Sequence, residues 1–393
     1  MTQLQMGILT LVKSALLDQK LELPQGFELK DAVQLCKEHE LTPLVCEGAA
    51  NCGLTKDPAF REMLQTSCQH LLVSERQGKA FQAVCRAFDK NGIDYMPLKG
   101  CLMKKRYPRH ELRPMGDADI LIRSEQYDRI RPLLPELGFT EQQESNHEYI
   151  WHAKNLHLEL HKRLIPSYNR DYYAYFGDGW RLAQREKGTR YGMRIEAEFL
   201  YLFTHFAKHY RDGGIGCRHM VDLWVFFQTF PQRNEKYICA ELKKLQLLDF
   251  YKNVCATLEV WFGNGISDVK TETITQFVFA SGNWGTEEQH VLSEAVKDQA
   301  LAGSVFSGKL RTALRLVFPP LSGMVVPFPF LRKAPWLMPF MWPVRWGQLV
   351  LVRREHMIHK SRSLKASTDD KVLAYRQALH DVGLDFNFRA AEE

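Results

Sequence analysis

The sequence predicts an α+β fold: a small mixed β-sheet in the second quarter of the chain, with helical regions before and after it. Three observations carry this. Apolar residues recur at helical spacing over residues 1–90, at Ile8, Leu11, Leu16 and Leu17 and again at Leu71, Leu72, Ala80, Phe81, Val84 and Phe88, the mark of amphipathic helices. Short apolar or alternating runs at 93–98, 117–122 and 156–160 read as strands. From about 195 to 262 the helical period returns.

Taken in order, Gly92 stands where a C-cap glycine closes the last N-terminal helix. Residues 93–98 form a first strand, 100–107 a helix and 117–122 a second strand. Ser124 is placed as N-cap of a helix over 125–137 that Gly138 ends. Residues 139–143 and 148–153 read as a hairpin. The strand over 156–160 sets His157, Glu159 and His161 on one face and Leu158 and Leu160 on the other. A helix over 196–210 carries His205, Lys208 and His209 on one face. After a loop at 211–216, Arg218 and Asp222 fall one turn apart on a helix starting near Cys217. Further helices are expected at 287–300 and 369–382. The domain reading is 1–90 helical, 91–165 catalytic core, 166–315 helical, and 316–393 a Pro/aromatic-rich basic segment with a terminal helix.

At 393 residues the chain is long for one domain, so two or three units are expected. Its 45% hydrophobic and 25% charged residues are ordinary for a globular protein,. Nine cysteines are scattered without a Cys-x-x-Cys, which signals neither a zinc cluster nor a disulfide framework and suits a reducing, cytoplasmic setting. The N-terminus reads as an amphipathic helix rather than a leader peptide. Residues 331–365 hold eight Lys/Arg against one acid, +7 of a net charge of +6, so the rest of the chain sums to −1. A near-neutral body argues against general nucleic-acid binding.

The chemistry gathers at residues 96–122, MPLKGCLMKKRYPRHELRPMGDADILI. Asp117 and Asp119, two apart on a strand, project from one face a few ångströms apart. Carboxylates so close repel unless a cation lies between them, and paired oxygens that leave positions open for water and phosphate suit Mg²⁺.

With Leu98-Lys99-Gly100, Arg113, Asp117-Ala118-Asp119 and His157-Leu158-Glu159-Leu160-His161 in this order, roughly residues 80 to 230 resemble a group of largely uncharacterised bacterial nucleotidyltransferases. They belong to the superfamily that includes DNA polymerase β. Two departures are visible: the usual Gly-Ser or Gly-Gly turn is Gly100-Cys101, and the gap from turn to aspartates is longer. The resemblance implies Mg²⁺ (or Mn²⁺) on Asp117, Asp119 and Glu159, an NTP substrate with ATP foremost, and release of pyrophosphate. The acceptor is left open among a sugar or antibiotic hydroxyl, a protein side chain and an RNA end.

The residue types allow these roles and plainer ones. Glu159 is the third carboxylate, ligand or base, or a solvated strand acid. Lys99, Gly100 and Cys101 would seat the triphosphate, since glycine admits close approach and lysine adds a charge; Lys99 is otherwise a surface residue before a turn. Arg113 either clamps phosphate or pairs with an aspartate to hold its loop. His157 and His161 support the site directly or as hydrogen-bonding neighbours. The resemblance implies that the helices after the sheet close over the nucleotide, from where Lys208 would reach a phosphate. His205 and His209 either support the site or join Arg218 and Asp222 in a buried network.

Prolines break the apolar runs of 316–352 well short of the ~20 residues that span a bilayer. Trp336, Trp342 and Trp346 with basic flanks then read either as a wrap against the body or as an interfacial anchor on a membrane or partner. A rival from another class is a catalytically idle scaffold that binds a partner or membrane surface through this segment.

Overall fold

The computed structural model describes residues 1–145, 147–167, 169–302, 314, 317–325, 327–352 and 369–386. Four helices come first: α1 (Gln3–Leu17), α2 (Leu29–Glu38), α3 (Thr42–Asn51) and the long α4 (Pro58–Lys90). Thr2 and Gln5 cap α1 reciprocally, satisfying amides the helix itself leaves free. Asn91 and Gly92, the latter at φ +61°, close α4 as the sequence predicts.

The described strands are β1 (Tyr95–Pro97), β2 (Asp117–Ile122), β3 (Thr140–Glu144), β4 (Glu148–Ala153), β5 (Leu156–His161), β6 (Ala183–Lys187) and β7 (Arg190–Met193). They form one mixed sheet in the order β3-β4-β5-β2-β1-β7-β6. The β2–β5 and β1–β7 pairs are parallel and the others antiparallel. The fold is therefore α+β, as expected, with a larger sheet: β6 and β7 lie in a stretch read as helical. Four of the five residues of β6 are exposed, so this edge strand carries no apolar alternation to betray it.

Two expected helices are shorter than predicted. The one over 100–107 is a single turn, α5 (Gly100–Met103), continued by a 3₁₀ turn at Lys104–Arg106. Tyr107 turns extended before Pro108, because a residue preceding proline clashes in the α region. The helix over 125–137 splits into α6 (Tyr127–Ile130) and α7 (Leu133–Glu136), and Ser124 caps neither with its side chain. Pro132 and Pro135 lack the amides a continuous helix needs.

Beyond the sheet come α8 (Arg170–Phe176), α9 (Ile195–Asp212), α10 (Cys217–Thr229), α11 (Glu235–Lys244), α12 (Leu248–Phe262), α13 (Val269–Ala280) and α14 (Glu287–Ala302). Short α15 (Leu321–Met324), α16 (Met338–Val352) and α17 (Asp369–Asp381) follow.

The sheet has a core on each face. Ile120, Ile122 and Leu158 pack with Val84 and Phe88 of α4, Ile130 and Leu134. Met96, Leu98 and Leu121 join the larger core made by α1–α3 and α9–α14, which α17 enters through Val372, Leu379 and Val382. In the 317–352 segment, Met324, Phe328 and Leu331 form a cluster of their own with Met341 and Trp342. The wrap expected to bury these rings against the body is thus not what the described residues show: Phe318 packs on Trp342 and Trp346 of the same segment. Trp336 is 72% exposed and Phe340 69%. Arg353, Arg354, Lys360, Arg362 and Lys365 lie outside the described residues. No helix among the described residues is long and apolar enough to cross a membrane.

Candidate active site

Parallel pairing of β2 and β5 aligns Asp117 with His157, Asp119 with Glu159 and Leu121 with His161. Paired residues share a face, so all three acids and both histidines project together. They face the larger core, and α9 lies over them.

Asp119 is the electrostatic centre. Its Oδ1 accepts from Lys99 Nζ at 2.9 Å and from His161 Nε2 at 2.7 Å. Burial opposes its ionisation, but Lys99 and His161 outweigh that and hold it well below the usual carboxylate range. Burial and the Lys99 charge work against protonated His161, yet its bonds to Asp119 and Glu159 raise its pKa. Asp117 is the reverse case: burial first, then repulsion from Glu159, pushes its pKa up. An added cation would relieve that repulsion.

The donor set fits a divalent metal. Ligand atoms of Asp117, His157 and Glu159 lie within 4.8 Å of one another, as do those of Asp119, Glu159 and His161. Glu159 belongs to both groups. His161 Nδ1 is buried without a hydrogen bond, 3.9 Å from Glu148. Carboxylate oxygens dominate, which suits a hard ion, and the histidines widen the choice toward Mn²⁺.

Lys99 sits in a strained turn, at φ 41° and ψ −114°. Such backbone costs about 1–3 kcal/mol and persists where the surroundings enforce it. Here the Asp119 pair and the buried Tyr201 beside the ammonium do so. Gly100 is a close fit, since a Cβ there would meet Arg113 Nη1 at 3.2 Å. With α5 only four residues long, the anion-binding power expected of a helix start is small, and Lys99 carries the electrostatic share. The Cys101 amide bonds Leu98 O at 3.2 Å. Its thiol joins the opposite core beside Met115, and burial pushes its pKa up to about 12.

Of the two uses open to Arg113, the structure shows the ion pair, with an unexpected partner. Its Nε and Nη2 reach Asp222 Oδ1 and Oδ2 at 2.7 and 2.8 Å, a buried bidentate contact. Arg218 turns instead to Glu40 at 3.2 Å and to the Pro114 carbonyl. His205 and His209 contact each other through Nε2 at 3.1 Å. The network open to these four residues is thus divided: Asp222 and Arg218 are joined indirectly, through Arg113 and the Pro114 carbonyl that both arginines reach, while the two histidines contact each other.

Lys208 lies on α9 among these groups. Burial and the Lys99 charge lower its pKa to about 8. Sequence reasoning passed over Glu148 and Tyr201. Glu148 pairs with His161 across β4 and β5 and contacts His147 at 2.9 Å. Its position at the start of a hairpin strand was legible, but the register that turns it toward the site was not.

A family model described as "Uncharacterised nucleotidyltransferase" matches residues 25–263, well over half of the chain. The chain belongs to this nucleotidyltransferase family. Comparison with curated proteins and with solved structures gives no match. The match begins in the N-terminal helices and runs through α12, so the family unit includes the sheet, α9 and α10.

Proposed function

We propose that the protein transfers a nucleoside monophosphate from an NTP, ATP foremost, to an acceptor hydroxyl and releases pyrophosphate. The observation that carries this reading is the alignment of Asp117 and Asp119 with Glu159 on adjoining parallel strands. Asp117, Asp119 and Glu159 would hold Mg²⁺ or Mn²⁺, which supplies charge neutralisation at the triphosphate and activation of the attacking oxygen.

The chain's own residues do the rest. Glu159 takes the acceptor proton as the new oxygen–phosphorus bond forms and the α–β phosphoanhydride bond breaks. His161, bonded to Asp119 and 3.4 Å from Glu159, orients both carboxylates, and His157 lines the outer side. Lys99, bonded to Asp119 at 2.9 Å, would give its charge to a phosphate oxygen of the bound triphosphate. Lys208, on α9, would add a positive charge toward the triphosphate. His205 and His209 back it from the same helix. Arg113 positions the loop before β2, and Gly100 with Cys101 closes the turn.

The test is incubation of purified protein and lysate with each α-labelled NTP and Mg²⁺. Label appearing in a sugar, protein or RNA fraction supports the reading and names the acceptor class. Label appearing nowhere favours the idle scaffold. The segment over 331–365 suits peripheral contact with the inner face of a membrane, because exposed Trp336 and Phe340 sit beside its basic residues.

A further inference from the structure

On the other side of the Lys99–Gly100–Cys101 turn lies a cavity of about 1320 Å³, walled by α4, by the 104–111 loop and by the β6–β7 turn. None of Lys99, Asp117, Asp119, Glu159 or Lys208 lines it. Tyr95, on its wall, pairs with Ile122, so this wall belongs to the sheet face turned away from Asp117 and Asp119.

The lining holds seven Lys/Arg against three acids. All three acids are engaged: Asp89 accepts from Thr189 at 2.8 Å, and Glu75 and Glu111 lie 3.2 and 3.4 Å from His110. Arg109 and Arg190 have their own carboxylates, Glu111 and Glu186. That leaves Lys79, Arg86, Lys104, Lys105 and Lys187 without an ion-pair partner among the described residues. Lys104 is the telling one. It is 8% exposed and bonds only the Ser74 hydroxyl, with no carboxylate. Burial and the Arg113 charge lower its pKa. Glu75 and Glu111 offset this only in part and from a distance; a buried ammonium with no carboxylate in contact is unfavourable, and an anion entering the cavity would supply that contact.

We propose that this cavity binds a multiply charged phosphorylated small molecule, with its phosphates on Lys104 and the ring of Lys79, Arg86, Lys105 and Lys187. The volume accommodates a nucleotide-sized ligand, and Phe81 and Met115 offer an apolar wall for a base. Lys104 follows α5 directly, so an occupant acts on the turn that holds Lys99. The site stands whether or not the carboxylate centre transfers nucleotides.

The experiment is calorimetric titration of the full-length protein in EDTA, with inorganic tripolyphosphate and ADP as probes. Wild type is expected to bind tripolyphosphate, and more weakly as salt rises. Lys104→Met, and separately Lys79→Ser/Lys105→Ser/Lys187→Ser, should bind about tenfold or more weakly, the loss of a charged contact. The triple variant changes groups at the rim, so it keeps the test intact if Lys104→Met unfolds. ADP tighter than tripolyphosphate identifies a nucleotide occupant, and equal affinities identify phosphate chemistry alone. Unchanged binding in both cavity variants overturns the proposal. So does absence of binding by wild type.

Discussion

Asp119 bonds Lys99 and His161, whereas Asp117 faces Glu159, and that asymmetry separates the consequences of replacing them. Both Asp117→Asn and Asp119→Asn should abolish transfer. In metal-free buffer Asp117→Asn relieves repulsion and should leave the unfolding midpoint unchanged or higher. Asp119→Asn strands the Lys99 ammonium, whose side chain is 17% exposed, and should cost about 3–5 kcal/mol, as for a broken buried pair. From the sequence alone the two look equivalent, because only the fold supplies Asp119 with its cations. Equal melts for the two variants, or normal turnover in either at saturating Mg²⁺, would refute the assignment. Glu159→Gln should keep nucleotide affinity and lose rate by about 10² to 10⁴, the range for removal of a general base. Should NTP affinity collapse instead, Glu159 is chiefly a metal ligand; a wild-type rate removes it from the site.

At the scale of elements, the Arg113–Asp222 pair fastens the loop before β2 to α10, and Tyr107 adds a 2.8 Å hydrogen bond to the same carboxylate. Arg113→Met should lose about 3–5 kcal/mol by leaving Asp222 buried and unpaired. Arg113→Met/Asp222→Leu should lose less than the two single changes together, which a double-mutant cycle measures. Strict additivity would mean that the pair contributes no coupling. His39 joins α2 to α10 and α13. Its Nδ1 accepts from the Cys217 amide, so Nε2 carries the proton and donates to Phe279 O, each at 3.2 Å. Fully buried, His39 has its pKa lowered by desolvation from the ordinary 6.5. The unfolded chain therefore binds this proton at a higher pH than the folded one does. The contribution is complete above about pH 6.5 and is lost as pH falls toward the folded value, with a slope of at most about 1.4 kcal/mol per unit. Denaturant midpoints between pH 7.5 and 5 should fall more steeply for wild type than for His39→Gln; parallel curves would contradict this.

For the whole molecule, two cores share one sheet, and α17 closes the larger core from far along the chain. The Tyr375 hydroxyl donates to Arg211 O at 3.1 Å and the Asn253 amide to Val382 O at 3.0 Å. The 317–352 segment instead keeps its own small cluster and leaves Trp336 and Phe340 outside it. Co-sedimentation with anionic vesicles at low salt is expected, weakening at high salt, since each basic residue near such a surface contributes about 1 kcal/mol within a Debye length. Trp336→Ser/Phe340→Ser should reduce it. Absence of co-sedimentation by wild type at low salt would rule out the membrane contact.

The sequence by itself determined the elements whose signal is local. Asp117–Ile122 is the strand its aliphatic run predicts, the 139–153 hairpin forms, and the faces of β5 and α9 follow from periods of 2 and 3.6. The candidate carboxylates were legible for the same reason, since two of them are neighbours on one strand. What only the tertiary structure decided is register and partnership. The pairing of Asp119 with Glu159, Glu148 with His161, Arg113 with Asp222 and β7 with β1 joins residues from 13 to 109 positions apart. No local period encodes such pairings, because a strand's alternation fixes which side chains share a face but not which strand lies beside it. The charge of Lys104 was visible in the sequence; its burial without a carboxylate in contact arises only where α4 and the 104–111 loop close around it.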